Sequence, residues 1–302
     1  KAEIVADPGR FVELDEDTPL ALLDQLRAGK RLMLITNSEW SYTREMMRFA
    51  FDRFLPGEMT WRGLFDVVIV SARKPEFFAR RGPVFEVVDE EAGTLQPVVG
   101  GLRPEGVYLG GNAALVEHYL ELSGDQILYV GDHIYGDVHV TKSVLRWRTA
   151  LVLRELEQEI EANRAFGAQQ RELSGLMRDK ELLEFEYCQL RLEQQRAQHG
   201  YGPPPALPAP RRQRRLAELR ERMQALDERI SPLARASAAV SHPRWGPLMR
   251  AGNDKSLLTR MVERSADIYT SRVSNFALHT PFAYLRSPRG SLPHDPGAPA
   301  AS

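Results

Sequence analysis

Cysteine is nearly missing from these 302 residues: Cys188 stands alone. A single thiol excludes an intrachain disulfide framework and suits a reducing compartment. Neither sign of charge is in excess, since 40 Lys and Arg face 41 Asp and Glu for a net charge of −1. General nucleic-acid binding rests on neutralising phosphates, so no nucleic acid is expected as a partner. No apolar run approaches the ~20 residues that span a bilayer, and no signal-like stretch opens the chain. No membrane partner is expected, and the cytoplasm is the default compartment. A P-loop is also missing, and Gly110-Gly111-Asn112 is too sparse a glycine pattern for a dinucleotide site.

What is present begins with a core: 43% hydrophobic residues in a chain of this length suit one large domain with an appendage. Residues 1–153 alternate helical and strand patterns, which implies an α/β fold with a doubly wound parallel sheet. Strands are expected over Arg31–Thr36, Val67–Ser71, Gly106–Gly111, Ile127–Gly131 and Arg148–Leu153, with helices over Leu22–Ala28 and Ala113–Leu122. The strand Ile127-Leu-Tyr-Val-Gly131 runs straight into Asp132, and Asp137 follows five positions on, after Gly136. In open α/β sheets ligands sit beyond the carboxyl ends of the strands. Two hard carboxylates converging there, with no Cys or paired His nearby, suit Mg²⁺. The plain alternative is a surface loop with two solvated aspartates.

Two further strand ends weigh against that alternative. Arg31-Leu-Met-Leu-Ile-Thr36 opens into Asn37 and Ser38, and the hydroxyls, amide and backbone N–H groups of Thr36 to Ser38 suit phosphate oxygens. Val67-Val-Ile-Val70 leads to Lys74 beside Pro75, a point charge for phosphate or carboxylate. Each is weak alone, and the ordered set of hydroxyl, lysine and paired aspartates is far more specific.

That set resembles motifs two, three and four of the haloacid dehalogenase-like phosphohydrolases. Thr36-Asn-Ser-Glu-Trp-Ser-Tyr-Thr43, Ser71-Ala-Arg-Lys-Pro-Glu-Phe-Phe78 and Gly131-Asp-His-Ile-Tyr-Gly-Asp137 look like the cytosolic purine 5′-nucleotidase branch and its bacterial relatives. Asp267-Ile-Tyr and Thr280-Pro-Phe-Ala-Tyr-Leu-Arg286 are similar to that branch's closing segment, so the resemblance covers about residues 1–153 and 244–295. It implies that Thr36 binds the transferring phosphoryl group, with Asn37 and Ser38 beside it. Lys74 would stabilise nucleophile and phosphate, and Asp132 and Asp137 would bind Mg²⁺. The reaction implied is hydrolysis of purine-type nucleoside 5′-monophosphates through an aspartyl-phosphate.

The family's first motif, an apolar strand ending in Asp-x-Asp, has only one look-alike here, Leu14-Asp15-Glu16-Asp17. Its lead-in, Ala6 to Leu14, is too short and polar for a central strand. A helix start fits better, with Asp17 or Thr18 as N-cap and Pro19 at N1. The nucleophile and the substrate-selecting cap are therefore expected upstream, in a longer parent chain, and residues 1–302 alone are expected to be inert. The reading of another class is a pseudoenzyme that serves assembly or regulation.

Residues 154–236 differ in character. Leu173, Leu176, Leu183, Tyr187 and Leu190 fall at three- and four-residue steps with Lys180 in the vacant place, and Leu216, Leu219, Met223, Leu226, Ile230 and Leu233 repeat the spacing. The Pro-rich stretch 199–210 cannot continue a helix, so two long helices should fold into an antiparallel hairpin with a coiled-coil-like seam. Pro232 is expected to end or kink the second. The hairpin is either purely structural or, because two helices bury little alone, a means of self-association into a homo-oligomer, and a homo-oligomer is expected.

Arg211-Arg212-Gln213-Arg214-Arg215 reads as a solvated helix start. His133 is expected to position its loop rather than bind metal, and His118 and His139 to lie at the surface. Tyr135 could stack on a purine. The resemblance places an effector site around it in vertebrate members, but Ser143 and Ser265 stand where a basic and an aromatic residue belong, which speaks against nucleotide activation. Residues 237–286 should pack back on the core, with Asn253-Asp-Lys-Ser256 starting a helix that carries Leu258, Met261, Val262, Ile268 and Tyr269. Residues 287–302 read as a disordered tail.

Overall fold

The computed structural model describes residues 1–252 and 254–284. The expected tail at 287–302, the helix start at Asn253, and Leu285 and Arg286 of the closing segment lie outside them. The chain opens with α1 (Ala2–Ala6), α2 (Asp17–Arg27), β1 (Met33–Ile35), α3 (Trp40–Phe51), β2 (Val67–Val70) and α4 (Glu76–Ala79). It continues with β3 (Val84–Asp89), β4 (Thr94–Pro97), β5 (Gly106–Gly110), α5 (Ala113–Leu120), β6 (Leu128–Gly131) and β7 (Arg148–Val152). Then come α6 (Leu156–Ala165), α7 (Gly167–His199), α8 (Ala209–Ala239), β8 (Arg250–Ala251), β9 (Asp254–Lys255), α9 (Leu257–Ser265) and β10 (Ile268–Thr270). Residues 1–154 with 257–284 form one compact unit, and the described residues of 155–256 a second.

The first unit is mixed α/β, rich in parallel pairing. One sheet runs in the order β1-β2-β5-β3-β4 and another in the order β10-β7-β6. β1, β2 and β5 are parallel, as are β6, β7 and β10. β2 is the centre of the core, and its four residues Val67 to Val70 are fully buried. Side chains alternate faces along a strand. Val67 and Ile69 accordingly join Phe77, Phe78, Tyr108, Tyr129 and Trp147 in one cluster, while Val68 and Val70 join Trp40, Trp61, Leu64 and Val107 in another. A strand covered on both faces has no polar side to show, which is why β2 reads as an unbroken apolar run.

The sheet is not wholly parallel. β3 pairs antiparallel with both β5 and β4, forming a hairpin on the flank. Its turn is built locally: Asp89 Oδ1 accepts the N–H groups of Glu91 (3.0 Å) and Ala92 (2.9 Å), and Gly93 takes φ 69°. Two β-branched runs around an Asp…Gly turn were a usable signal. At the carboxyl end α9 stops at Ser265, and Ile268 and Tyr269 leave it for β10. They bond beside β7 rather than extend the helix, because a third parallel strand satisfies that edge. α2 begins at Asp17 with Glu16 at its N-cap, so neither Asp17 nor Thr18 caps it and Pro19 falls at the third helical position instead of the first. The Asp17 N–H donates to Asp15 Oδ1 at 3.2 Å and satisfies that end.

The second unit is a helical hairpin. α7 and α8 bury Leu183, Leu190, Leu216 and Leu219 in one cluster and Leu173, Leu176 and Ile230 in another. Cross-helix ion pairs flank the seam: Arg215–Glu186 at 2.6 Å, Arg229–Glu172 at 3.4 Å, and Lys180–Asp227. α8 runs through Pro232 to Ala239, so the proline does not end it. Residues 237–256 lie in this unit, where buried Glu159 accepts the N–H groups of Leu248 (2.6 Å) and Met249 (3.2 Å).

Candidate active site

The parallel register puts the carboxyl ends of β1 and β2 at one rim, and backbone bonds sew their exit loops together. Thr36 N–H donates to Ile69 O (2.9 Å), Ala72 N–H to Thr36 O (3.0 Å) and Ser71 N–H to Ser38 O (2.8 Å). Thr36 Oγ1 accepts the Ser38 N–H at 3.1 Å, which leaves its own hydroxyl hydrogen to donate. Asn37 clamps the second loop: Lys74 N–H donates to Asn37 Oδ1 (2.6 Å), and Asn37 Nδ2 donates to Lys74 O (3.1 Å). Both ends of that amide thus hold the Lys74 backbone. The β2 loop takes left-handed backbone at Ser71 (φ 47°) and Arg73 (φ 61°), a strain that persists only where surrounding bonds determine it.

Lys74 reaches across this rim to β6. Its Nζ lies 2.8 Å from Asp137 Oδ1 and 2.9 Å from the Tyr129 hydroxyl, which donates to Asp137 Oδ1 at 3.1 Å. Asp137 Oδ2 accepts the His133 N–H at 3.1 Å. Asp137 is almost fully buried, and the ammonium and two donors compensate that burial. Burial, and next the Asp137 charge, push the Tyr129 phenol far above its ordinary value, so it is a neutral donor at all working pH.

Glycines shape the same loop. A Cβ on Gly131 would sit 2.6 Å from Asp137 Cβ, so only glycine lets the aspartate fold back against the strand end. Gly136 N–H donates to His133 Nδ1 at 2.8 Å, which ties that imidazole to the turn. The chain then passes into π-helical turns at Ile134–His139 and Thr141–Leu145, a form that recurs at functional sites.

The rim therefore brings Thr36, Asn37, Ser38, Lys74 and Asp137 into one bonded set. Asp132 opens the β6 loop and is exposed to solvent. Tyr135 lies on the outer side of that loop, 56% exposed, with its hydroxyl 3.8 Å from Met261 Sδ and its ring 6.0 Å from His139. Asp15 is spent elsewhere: its Oδ2 accepts the Ser274 hydroxyl at 2.7 Å and lies 3.7 Å from Arg272. Sequence reading missed Tyr129, whose only signal was a phenol in an otherwise apolar strand run. It also missed the close approach at Gly131, which no local pattern encodes.

Among the described residues no group of three or more His, Cys, Asp or Glu side chains is placed to hold a metal ion. Asp132 and Asp137 still suit Mg²⁺, which binds through one or two carboxylates and completes its shell with water and substrate phosphate. A cavity of about 640 Å³ lies elsewhere, among Lys30, Arg31, Arg62, Asp66 and Glu105 where β1, β2 and β5 begin. All three of its cations are engaged: Arg31 with Asp66 (2.8 Å), Arg62 with the Glu105 carbonyl (2.7 Å), and Lys30 with Gln25 and the Pro281 carbonyl.

A model of the 5′ nucleotidase family matches residues 1–297. The chain belongs to that family. This 5′ nucleotidase family chain is 27% identical over 274 residues to a 5′-nucleotidase domain-containing protein of Dictyostelium discoideum, covering 88% of itself and 41% of that protein. It is 38% identical over 145 residues to human 5′-nucleotidase domain-containing protein 2, covering 48% of itself and 27% of that protein. It spans less than half the length of these curated relatives. Among its described residues no helix is long and apolar enough to cross a membrane.

Proposed function

We propose that this chain supplies the phosphate-binding and metal-binding part of a Mg²⁺-dependent, haloacid dehalogenase-like 5′-nucleotidase acting on purine nucleoside 5′-monophosphates in the cytoplasm. The observation that carries the reading is the Lys74–Asp137 contact of 2.8 Å, which joins the β2 and β6 loops beside Thr36. In this reading the Thr36 hydroxyl donates to a phosphate oxygen. Lys74 offsets negative charge on the phosphoryl group as it moves in line from leaving to attacking oxygen. Asn37 keeps Lys74 aimed, the Ser38 loop lends a backbone donor, and the exposed Tyr135 ring offers a face to a purine. Mg²⁺ held by Asp132 and Asp137 would supply further charge compensation.

The nucleophile, in this proposal, is a carboxylate on a strand outside residues 1–302. Its oxygen forms a bond to phosphorus as the bond from phosphorus to the ribose 5′-oxygen breaks; water then cleaves the aspartyl-phosphate. Two features favour such a strand. Among the described residues β1 and β6 each pair on one side only, and both are parallel strands whose loops carry the proposed site. Met33, Leu34 and Ile35 are wholly apolar yet only half-buried, unlike the sealed β2 beside them. A parallel strand between β1 and β6 would cover them, join the two sheets into one doubly wound sheet, and deliver its carboxyl end to Thr36 and Lys74.

The test is phosphate release from inosine and guanosine monophosphate with Mg²⁺. The complete gene product should be active, Asp132→Asn should lower kcat by at least ~100-fold, and residues 1–302 alone should be inert. An inactive complete product would sink the hydrolase. It would favour the second reading, a non-catalytic assembly protein, for which α7 offers the exposed pair Leu182 (70%) and Phe185 (66%) one turn apart as a self-association face. Sedimentation that is independent of concentration would remove that reading.

A further inference from the structure

Tyr129 has no role in the chemistry described so far. It is buried in β6, and its ring packs edge-on against Phe78 (centroids 5.0 Å apart) and lies 6.4 Å from Trp147. A phenylalanine would fill that space equally well. The hydroxyl is what differs, and a buried hydroxyl costs stability unless both its donor and acceptor capacities are used. Here both are used, and both on the site: it accepts from Lys74 Nζ at 2.9 Å and donates to Asp137 Oδ1 at 3.1 Å. With the 2.8 Å ion pair the three groups close a triangle.

We infer that Tyr129 is a positioning residue, which anchors the Lys74 ammonium and the Asp137 carboxylate from beneath so that each keeps its place when the other is drawn away. The inference rests on the hydrolase reading for its catalytic consequence, but not for its geometry. Lys74 is held by two partners of different kind. A cation or phosphate arriving at the rim competes with the ion pair by charge, and it competes far less with a neutral phenol. An ammonium has three hydrogens, so with one on Tyr129 and one on Asp137 a third remains for an incoming oxygen. Without the phenol, stretching the ion pair frees Lys74 to move into solvent with its flexible stem. The packing around the ring supplies the rigidity that the lysine lacks.

Tyr129→Phe removes the hydroxyl and keeps the ring. The first measurement uses residues 1–302 and needs no activity: competitive acylation of lysines by acetic anhydride, followed by mass spectrometry, with Lys30 and Lys180 as internal references. Lys74, only 15% exposed, should label slowly in the parent chain. It should label about fivefold faster in the variant, as expected for the loss of one hydrogen bond. A rise shared by all lysines would report unfolding. In that case 4-aminophenylalanine at position 129, which restores a polar group on the same ring, is the deciding variant and should return Lys74 to slow labelling. The second measurement is steady-state hydrolysis by the complete gene product, where Tyr129→Phe should lower kcat about tenfold and leave KM within twofold. An unchanged Lys74 labelling ratio overturns the inference, as does an unchanged kcat in an active protein. Faster Lys74 labelling with an inactive parent leaves the positioning role standing and removes the hydrolase reading instead.

Discussion

Gly131 is the residue on which the aspartate loop turns. A methyl group there would overlap the buried Asp137 side chain at 2.6 Å, and Asp137 is pinned from above by Lys74. Neither side yields easily, so Gly131→Ala should destabilise the chain by about 1–3 kcal/mol. Urea unfolding of residues 1–302 reads this directly, and an unchanged midpoint would mean that the loop relaxes at no cost. Asp267 sets a second residue-scale expectation. Burial alone would raise its carboxyl pKa, but the Thr149 N–H at 2.9 Å and Lys142 at 3.2 Å outweigh it and hold the pKa below the ordinary value. A depressed folded pKa contributes stability that is complete above the unfolded value of ~3.9 and is lost as pH falls through the folded one. The stability gap between the parent chain and Asp267→Asn should therefore be constant at neutral pH and narrow below ~pH 4. A gap that widens on acidification would reverse the sign and refute the assignment.

At the scale of elements, the hairpin was the most legible part of the sequence. Three- and four-residue spacing is a property of the helix itself, so Leu183, Leu190, Leu216 and Leu219 could be assigned to a seam without knowledge of anything distant. Of the two readings of Pro232, an end and a kink, the first does not hold, because α8 continues to Ala239. The proline removes one hydrogen bond from the ladder, but the seam residues on either side keep α8 helical past it. Pro232→Ala should accordingly raise stability by about 1–2 kcal/mol, somewhat less than the full interior penalty because proline also restrains the unfolded chain. A lower urea midpoint would show that the ring makes packing of its own. Leu219→Ala, at a fully buried seam position, should cost about 2–5 kcal/mol, while Leu182→Ala on the exposed face should fall within about 0.5 kcal/mol. The β3–β4 hairpin and β10 were harder to read. β10 is only three residues long, and what makes each a strand is the neighbour it bonds: β5 for one, β7 for the other.

At the scale of the molecule, β1 and β6 are, among the described residues, parallel edge strands whose exit loops meet at the same rim. Their unpaired amides should exchange with deuterium rapidly in residues 1–302, while those of β2 and β7 stay protected. In the complete gene product, residues 33–35 and 128–131 should become protected as strongly as β2. Equal exchange in both forms would exclude a strand between them.

Residue order by itself determined where strands would end in chemistry and where helices would pair, because an apolar run, a glycine stop and a 3-4 repeat are local statements. It also marked Thr36, Lys74 and Asp137 as a set worth testing. Only the tertiary structure decided that Lys74 lies on Asp137, that Tyr129 lies under both, and that the parallel strands divide into two sheets. The contacts of Lys74 with Tyr129 and Asp137 join residues 55 or more positions apart, and the division into sheets concerns the space between backbones; no spacing along a chain encodes either.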